Sequence, residues 1–225
     1  MKRSNKVFVF IASTLAIAAL LSVPFLSWLQ SEEGSPVGDG PSEQPDTLCT
    51  CPHVKISLQP YDFSQDEARR LKADLEKNLG SQSGVWALSF DVLPNKTLTD
   101  ELKNDAGTRY RADKIIKSLE KEADGQHIII ALTHKDISVS HKGKADWGVL
   151  GLSLIPKKAC VVSTYRLKNR RDLWKLATHE FVHTCFNYQH CPDDNPKCIM
   201  KDAKGHSDFS RKNTLCIKCY NRTFR

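Results

Sequence analysis

The run Gln126-His-Ile-Ile-Ile-Ala-Leu-Thr133 is apolar almost throughout and shows no alternation between faces. A strand with that pattern is covered on both sides, so it belongs at the centre of a sheet sandwiched between helices. The segments before it supply such a sheet. His53 to Tyr61 alternates Val54, Ile56 and Leu58 as a strand, and Ser64 to Leu79 repeats Ala68, Leu71, Leu75 and Leu79 at helical spacing. Gly80 to Gly84 turns the chain, Val85 to Leu93 reads as a second strand, and Tyr110 to Ala123 as a second helix carrying Ile115, Ile116 and Leu119. A β-α-β-α-β order requires a mostly parallel sheet with right-handed crossovers. After a Gly/Lys-rich loop, Trp147 to Ile155 and Ala159 to Thr164 predict two more short strands, which makes the fold class α/β with a mixed twisted sheet of about five strands. The last large helix starts at Asn169, an N-cap with Asp172 three residues on. Its stripe Leu173, Ala177, Phe181 and Cys185 faces the core.

The chain opens Met1-Lys-Arg-Ser-Asn-Lys6 and is then almost purely apolar from Val7 to Leu29, long enough to cross a bilayer. A cleaved signal peptide has an apolar stretch of only ~7–15 residues that ends in small residues. Here bulky Phe25, Trp28 and Leu29 close the run, so residues 1–29 are expected to be an uncleaved membrane anchor. Lys2, Arg3 and Lys6 would keep the N-terminus cytoplasmic and Trp28 would sit at the far interface, leaving the rest on the extracytoplasmic side, or secreted if the segment is cut. No cysteine follows the apolar run until Cys49, which argues against a lipoprotein anchor. Residues 30–48 are rich in Ser, Glu, Gly, Pro and Asp with nothing to bury, and read as a flexible linker. Residues 49–225 suffice for one domain, expected to be monomeric. The net charge of +7 includes the cytoplasmic cluster and a basic tail of Arg211, Lys212, Lys218, Arg222 and Arg225. With no aromatic-interleaved basic motif, this charge reads as a solvated surface beside anionic lipid and not as a nucleic-acid site.

His179-Glu180-Phe-Val-His183 lies on the last large helix. Residues four apart share a helix face, so both imidazoles can reach one metal ion while Glu180 sits beside the water that completes its shell. The alternative is a pair of surface or core-satisfied histidines. Beyond them the chain reads Thr184-Cys-Phe-Asn-Tyr-Gln-His190-Cys191, then Cys198-Ile-Met200, then Cys216-Ile-Lys-Cys219. Cys191, Cys198, Cys216 and Cys219 can be read as two disulfides or as metal ligands. An exported location favours the disulfides, and the close Cys216/Cys219 pair favours a zinc knuckle.

In this order the residues resemble the archaemetzincins, metzincin-clan zinc peptidases with the pattern HExxHxxGxxHC, then Cys-x-Met, then CxxC. Trp147-Gly-Val-Leu-Gly-Leu-Ser and Ala159-Cys-Val-Val-Ser163 look like that family's last two strands, so the likeness runs from Cys49 to Cys219. The resemblance implies a zincin-like α+β catalytic domain with a small C-terminal zinc-binding subdomain of four cysteines, a peptide or protein substrate, and two zinc ions per chain. It makes His179, His183 and His190 the catalytic zinc ligands, Glu180 the general base and Met200 the Met-turn. Cys191, Cys198, Cys216 and Cys219 become the structural zinc ligands. Three protein ligands leave a position for water, zinc draws that water's pKa toward ~7, and a carboxylate can take its proton.

Two departures from the pattern bear on His190. Phe186 stands where the family has glycine, and one extra residue precedes His190. Asn187 tolerates the left-handed conformation, so a turn displaced by one position would still deliver the histidine. Asp193 or Asp194 is the fallback ligand; His206 is a further candidate, although Gly205-His-Ser-Asp is rather expected in a pocket-lining loop after the Met-turn. Because Cys191 adjoins His190, a metal on one would help fix the other. Of the remaining cysteines, Cys160 and Cys185 read as buried inert thiols ahead of a disulfide or functional role, while Cys49 and Cys51, flanking the domain start, are open to pairing with partners that spacing does not identify.

Trp147 to Ile155, as an edge strand above the metal, would offer main-chain groups to an extended peptide. Gly148 and Gly151 there serve either close backbone approach or simple flexibility. The expected function is that of a membrane-tethered zinc metallopeptidase. The rivals are a non-enzymatic zinc-stabilised binding module whose altered turn spoils the metal site, and a hydrolase of another amide such as a cell-wall crosslink.

Overall fold

A computed structural model describes residues 53–84, 86–123, 127–155, 158–203 and 209–225. The expected anchor and linker, Cys49, Cys51 and His206 lie outside the described residues. Among the described residues no helix is long and apolar enough to cross a membrane.

The main sheet has five strands: β1 (His53–Tyr61), β2 (Ala87–Val92), β4 (His127–Thr133), β7 (Gly151–Ser153) and β8 (Ala159–Ser163). Their order across the sheet is β2-β1-β4-β8-β7. β1 runs parallel to β2 and β4, β4 runs parallel to β8, and only β7 is antiparallel to its neighbour. The sheet is therefore mixed, as expected, and β4 lies at its centre. The absence of alternation in β4 has its cause in the packing. Ile128, Ile130 and Leu132 face a core shared with α1 (Gln65–Asn78) and α3 (Leu173–Phe186), while Ile129 and Ala131 face a second core under α2 (Ala112–Leu119). Each such isoleucine removed from water contributes roughly 1.5–3 kcal/mol.

Three stretches ahead of α3 depart from the sequence expectation. Tyr110 and Arg111 are not the first turn of a helix but a two-residue strand, β3 (Tyr110–Arg111), paired with Ile137 and Ser138. The Gly/Lys-rich loop contains β5 (Ile137–His141), which forms a hairpin with β6 (Lys144–Val149). The hairpin turns at Lys142 and Gly143, both at positive φ, as a two-residue turn with matching twist requires. The expected strand from Trp147 to Ile155 is broken at Leu150: β6 belongs to a three-stranded sheet in the order β3-β5-β6, and β7 to the main sheet. Both are edge strands, and the break lets one chain segment border a cleft from two sheets.

Candidate zinc centres

Helix α3 follows a single 3-10 turn, Arg170–Asp172, whose first free N–H is capped by Asn169: its Oδ1 accepts from Arg171 N at 3.0 Å. Twelve of the fourteen residues of α3 are buried, so it is not an amphipathic surface helix. Leu173, Ala177, Phe181 and Cys185 pack into the core as expected, and the opposite face carries His179, Glu180 and His183.

His179 Nδ1 donates to Ile199 O at 2.8 Å, and His183 Nδ1 donates to Tyr188 O. A carbonyl only accepts, so in both rings Nδ1 carries the proton and Nε2 is a bare lone pair. Burial keeps the rings neutral, pushing His179 well below the usual imidazole range and His183 down to about 4. The two Nε2 atoms are nonetheless 3.1 Å apart. No proton is available to be shared between them, so we do not read this contact as a hydrogen bond. Two lone pairs held face to face suit a cation between them, and a tetrahedral zinc would set its ligand nitrogens about 3.4 Å apart.

His190 joins this pair, and one ligand atom from each of the three histidines lies within 4.8 Å of the others. It is delivered by the displaced turn: Asn187 ends α3 at φ 48° and ψ 31°, in the left-handed region. Phe186 is not a passive replacement for glycine. Its ring packs against Trp86, Phe181 and Phe224, with centroids at 5.1, 5.8 and 5.4 Å. The fallback carboxylates are engaged elsewhere, Asp193 with Lys218 at 2.8 Å and Asp194 with Lys201 at 3.0 Å.

Glu180 is buried beside the histidines, and Ser153 Oγ donates to its Oε2 at 2.8 Å. Burial pushes the carboxyl up to about 7, against the opposing pull of that hydrogen bond and of the Lys212 charge. A Cβ at Gly151 would lie 2.6 Å from Glu180 Oε1, and one at Gly148 would run into the Arg166 guanidinium. Both glycines thus make room for the site's own side chains, a reason distinct from flexibility. Arg166 is held by both oxygens of Asp136, at 2.7 and 2.8 Å.

Lys212 corrects the reading of a solvated basic tail. It is buried, and its Nζ donates to Ile199 O at 3.3 Å and Lys201 O at 2.6 Å, spanning Met200. Burial pushes its ammonium down to about 8. Sequence inspection missed both Ser153 and Lys212. The available signal for Ser153 was its place two residues after Gly151, on the same face of a strand.

Cys191, Cys198, Cys216 and Cys219 are free thiols whose sulfurs lie within 4.8 Å of one another, so the two-disulfide alternative is not what the fold adopts. The 3.7 Å between the sulfurs of Cys191 and Cys216 is close to the edge of a tetrahedron built on zinc–sulfur bonds of about 2.3 Å. Hydrogen bonds from Cys219 and from the backbone N–H groups of Cys216 and Met200 draw the Cys198 thiol down to about 5. Helix α4 (Ile217–Phe224), unforeseen in the basic tail, begins directly after Cys216 and carries Cys219 inward. The two clusters touch through the backbone, where Cys191 N donates to Met200 O at 2.8 Å. Cys160 is a buried free thiol raised by burial, as expected of an inert cysteine. Cys185 is not an inert thiol: it is disulfide-bonded, and the other described cysteines are all free.

His179, His190 and Glu180 open into a cavity of 470 Å³, bordered by Gly148 to Gly151 on one rim and by Arg166 and Phe209 on others.

No family model matches the chain. It is similar to the archaemetzincin of Halobacterium salinarum, 28% identical over 160 residues, covering 64% of this chain and 88% of the relative. It is also similar to that of Haloquadratum walsbyi, 25% identical over 152 residues, with 60% and 83% covered. A third archaemetzincin, from Nanoarchaeum equitans, is 32% identical over 103 residues, with 45% and 54% covered. Among solved structures, the fold is similar to that of Archaeoglobus fulgidus archaemetzincin in complex with malonate, with a TM-score of 0.60 at 23% identity over 75% of this chain and 99% of that one. A zinc-dependent peptidase from Methanocorpusculum labreanum gives 0.59 at 21% identity, with 75% and 99% covered. The mixed α/β, zincin-like fold and the resemblance drawn from the motif both stand.

Proposed function

From kinship with the archaemetzincins, a family of zinc metallopeptidases, we propose that this chain hydrolyses peptide bonds at the cluster of His179, Glu180, His183 and His190. Zinc held by the three histidines would polarise the substrate carbonyl and make a water acidic enough to be deprotonated near neutral pH. Glu180 takes that proton as the water attacks, then passes it to the amide nitrogen as the C–N bond breaks. Ser153 fixes one carboxylate oxygen by hydrogen bonding and leaves the other, beside Gly151, for the water. His179 and His183 are held in their tautomers by the carbonyls of Ile199 and Tyr188, which keeps both Nε2 atoms available as ligands.

The observation that carries this reading is the pair of unprotonated Nε2 atoms 3.1 Å apart, with a buried carboxyl next to them in an open cleft. The approach of His190 supports a peptidase over a binding module with a spoiled site. A second zinc ion, structural, is proposed at Cys191, Cys198, Cys216 and Cys219. We also propose that residues 1–29 anchor the domain outside the cytoplasm, a location supported by the disulfide at Cys185.

The test is a peptide library offered to the zinc-loaded protein and to Glu180→Gln. The wild type should cleave, and the variant should lose ~10²–10⁴ in rate while keeping its zinc. Cleavage by both forms, or by neither, would remove the peptidase reading.

A further inference from the structure

The cleft continues past His190. On the other side of that imidazole lies a second cavity, of 570 Å³, lined by His141, Lys142, Lys144 and Trp147 of the β5–β6 hairpin, with His190 and Asp202 common to both cavities. The hairpin residues are exposed, and Trp147 retains 37% of its surface. Lys144 Nζ stands 4.7 Å over the indole, and the His141 ring is 6.0 Å from it.

The charge balance of this outer cavity is one-sided. Among the described residues neither Lys142 nor Lys144 forms an ion pair, whereas Arg109 and Arg166 are neutralised by Asp136 and Asp146. Asp202 is the one carboxylate among the described lining residues, and it sits 4.0 Å from His190. Two ammonium groups without a carboxylate partner, beside an exposed indole, form a receptor for an anionic side chain: the carboxylate meets the lysines while its methylenes lie on the ring.

The hairpin also has a fixed place relative to the chemistry. Trp147 precedes Gly151 by four residues, and Gly151 abuts the carboxyl of Glu180. At ~3.3 Å per residue that backbone path is at most about 13 Å, and shorter across the break at Leu150, which is about three to four residues of extended peptide.

We infer that the β5–β6 hairpin is a specificity subsite that takes a glutamate or aspartate three or four residues from the scissile bond, so that the preferred substrate is an acidic peptide. This rests on the peptidase reading above.

The test uses the full-length zinc-loaded protein and peptides identical except for Glu, Ala or Lys at each position up to four residues from the cleaved bond. At one position on one side, kcat/KM should favour Glu over Ala by ~10-fold, mainly through KM, and the preference should shrink several-fold in high salt. The Lys142→Glu/Lys144→Glu variant should reverse the ranking in favour of Lys. Should that variant not fold, Lys142→Ala at the exposed turn should lower the Glu/Ala ratio alone. A separate arm measures anisotropy of labelled, uncleaved Glu and Ala peptides bound to Glu180→Gln. Cleavage without an acidic preference, or with a preference that the lysine substitutions leave intact, overturns the subsite and spares the peptidase. Selective binding of the Glu peptide without cleavage by wild type does the reverse. Neither cleavage nor selective binding sinks both.

Discussion

Glu180 is constrained on both of its oxygens. Ser153 donates to one, and Gly151 keeps the space beside the other clear. Replacing Ser153 by Ala should leave the zinc content and KM nearly unchanged and lower kcat by ~10-fold, because the lost contact orients the base and does not bind substrate. A rise in KM with unchanged kcat would instead place Ser153 in substrate binding. At this scale the sequence was most legible where chemistry dictates both residue type and spacing. His179 and His183 lie one helical turn apart, and Asn187 is one of the few non-glycine residues that accept φ 48°. Ser153 and Lys212 were not legible, because their partners, a carboxylate and two carbonyls, come from distant parts of the chain and leave no local pattern.

The elements divide by the same rule. β1, α1, β4, β8 and α3 carry their periodicity or their continuous apolar runs in the sequence, and they form where those patterns put them. β3 and β5 exist through pairing with each other and with β6, and the basic composition of α4 concealed its inward residues Cys219, Thr223 and Phe224. The end of α3 yields a prediction that runs against the family pattern. Phe186→Gly would restore the customary residue, yet here the turn has moved to Asn187 and the Phe186 ring fills a space among Trp86, Phe181 and Phe224. The variant should lose about 3–5 kcal/mol of stability, measured by chemical denaturation of the zinc-loaded protein. A gain in stability would show that the aromatic cluster contributes nothing and that the glycine geometry remains preferred.

Across the whole molecule, residues 190–200 belong to both clusters: His190 leads directly into Cys191, Cys198 is two residues from Met200, and Cys191 N is bonded to Met200 O. Cys216→Ser should therefore reduce zinc per chain by more than one ion and abolish peptidase activity, as measured by elemental analysis alongside a rate assay. Retention of one ion with full activity would mean that the two clusters fill independently. The shared segment bears on how such a protein behaves as metal becomes scarce. Independent sites would empty one after another and weaken activity by degrees, whereas two sites braced by one stretch of backbone would be vacated together. On the proposed reading, a hydrolase built this way would act as a threshold device, fully competent while the supply of the ion suffices and silent once it falls short.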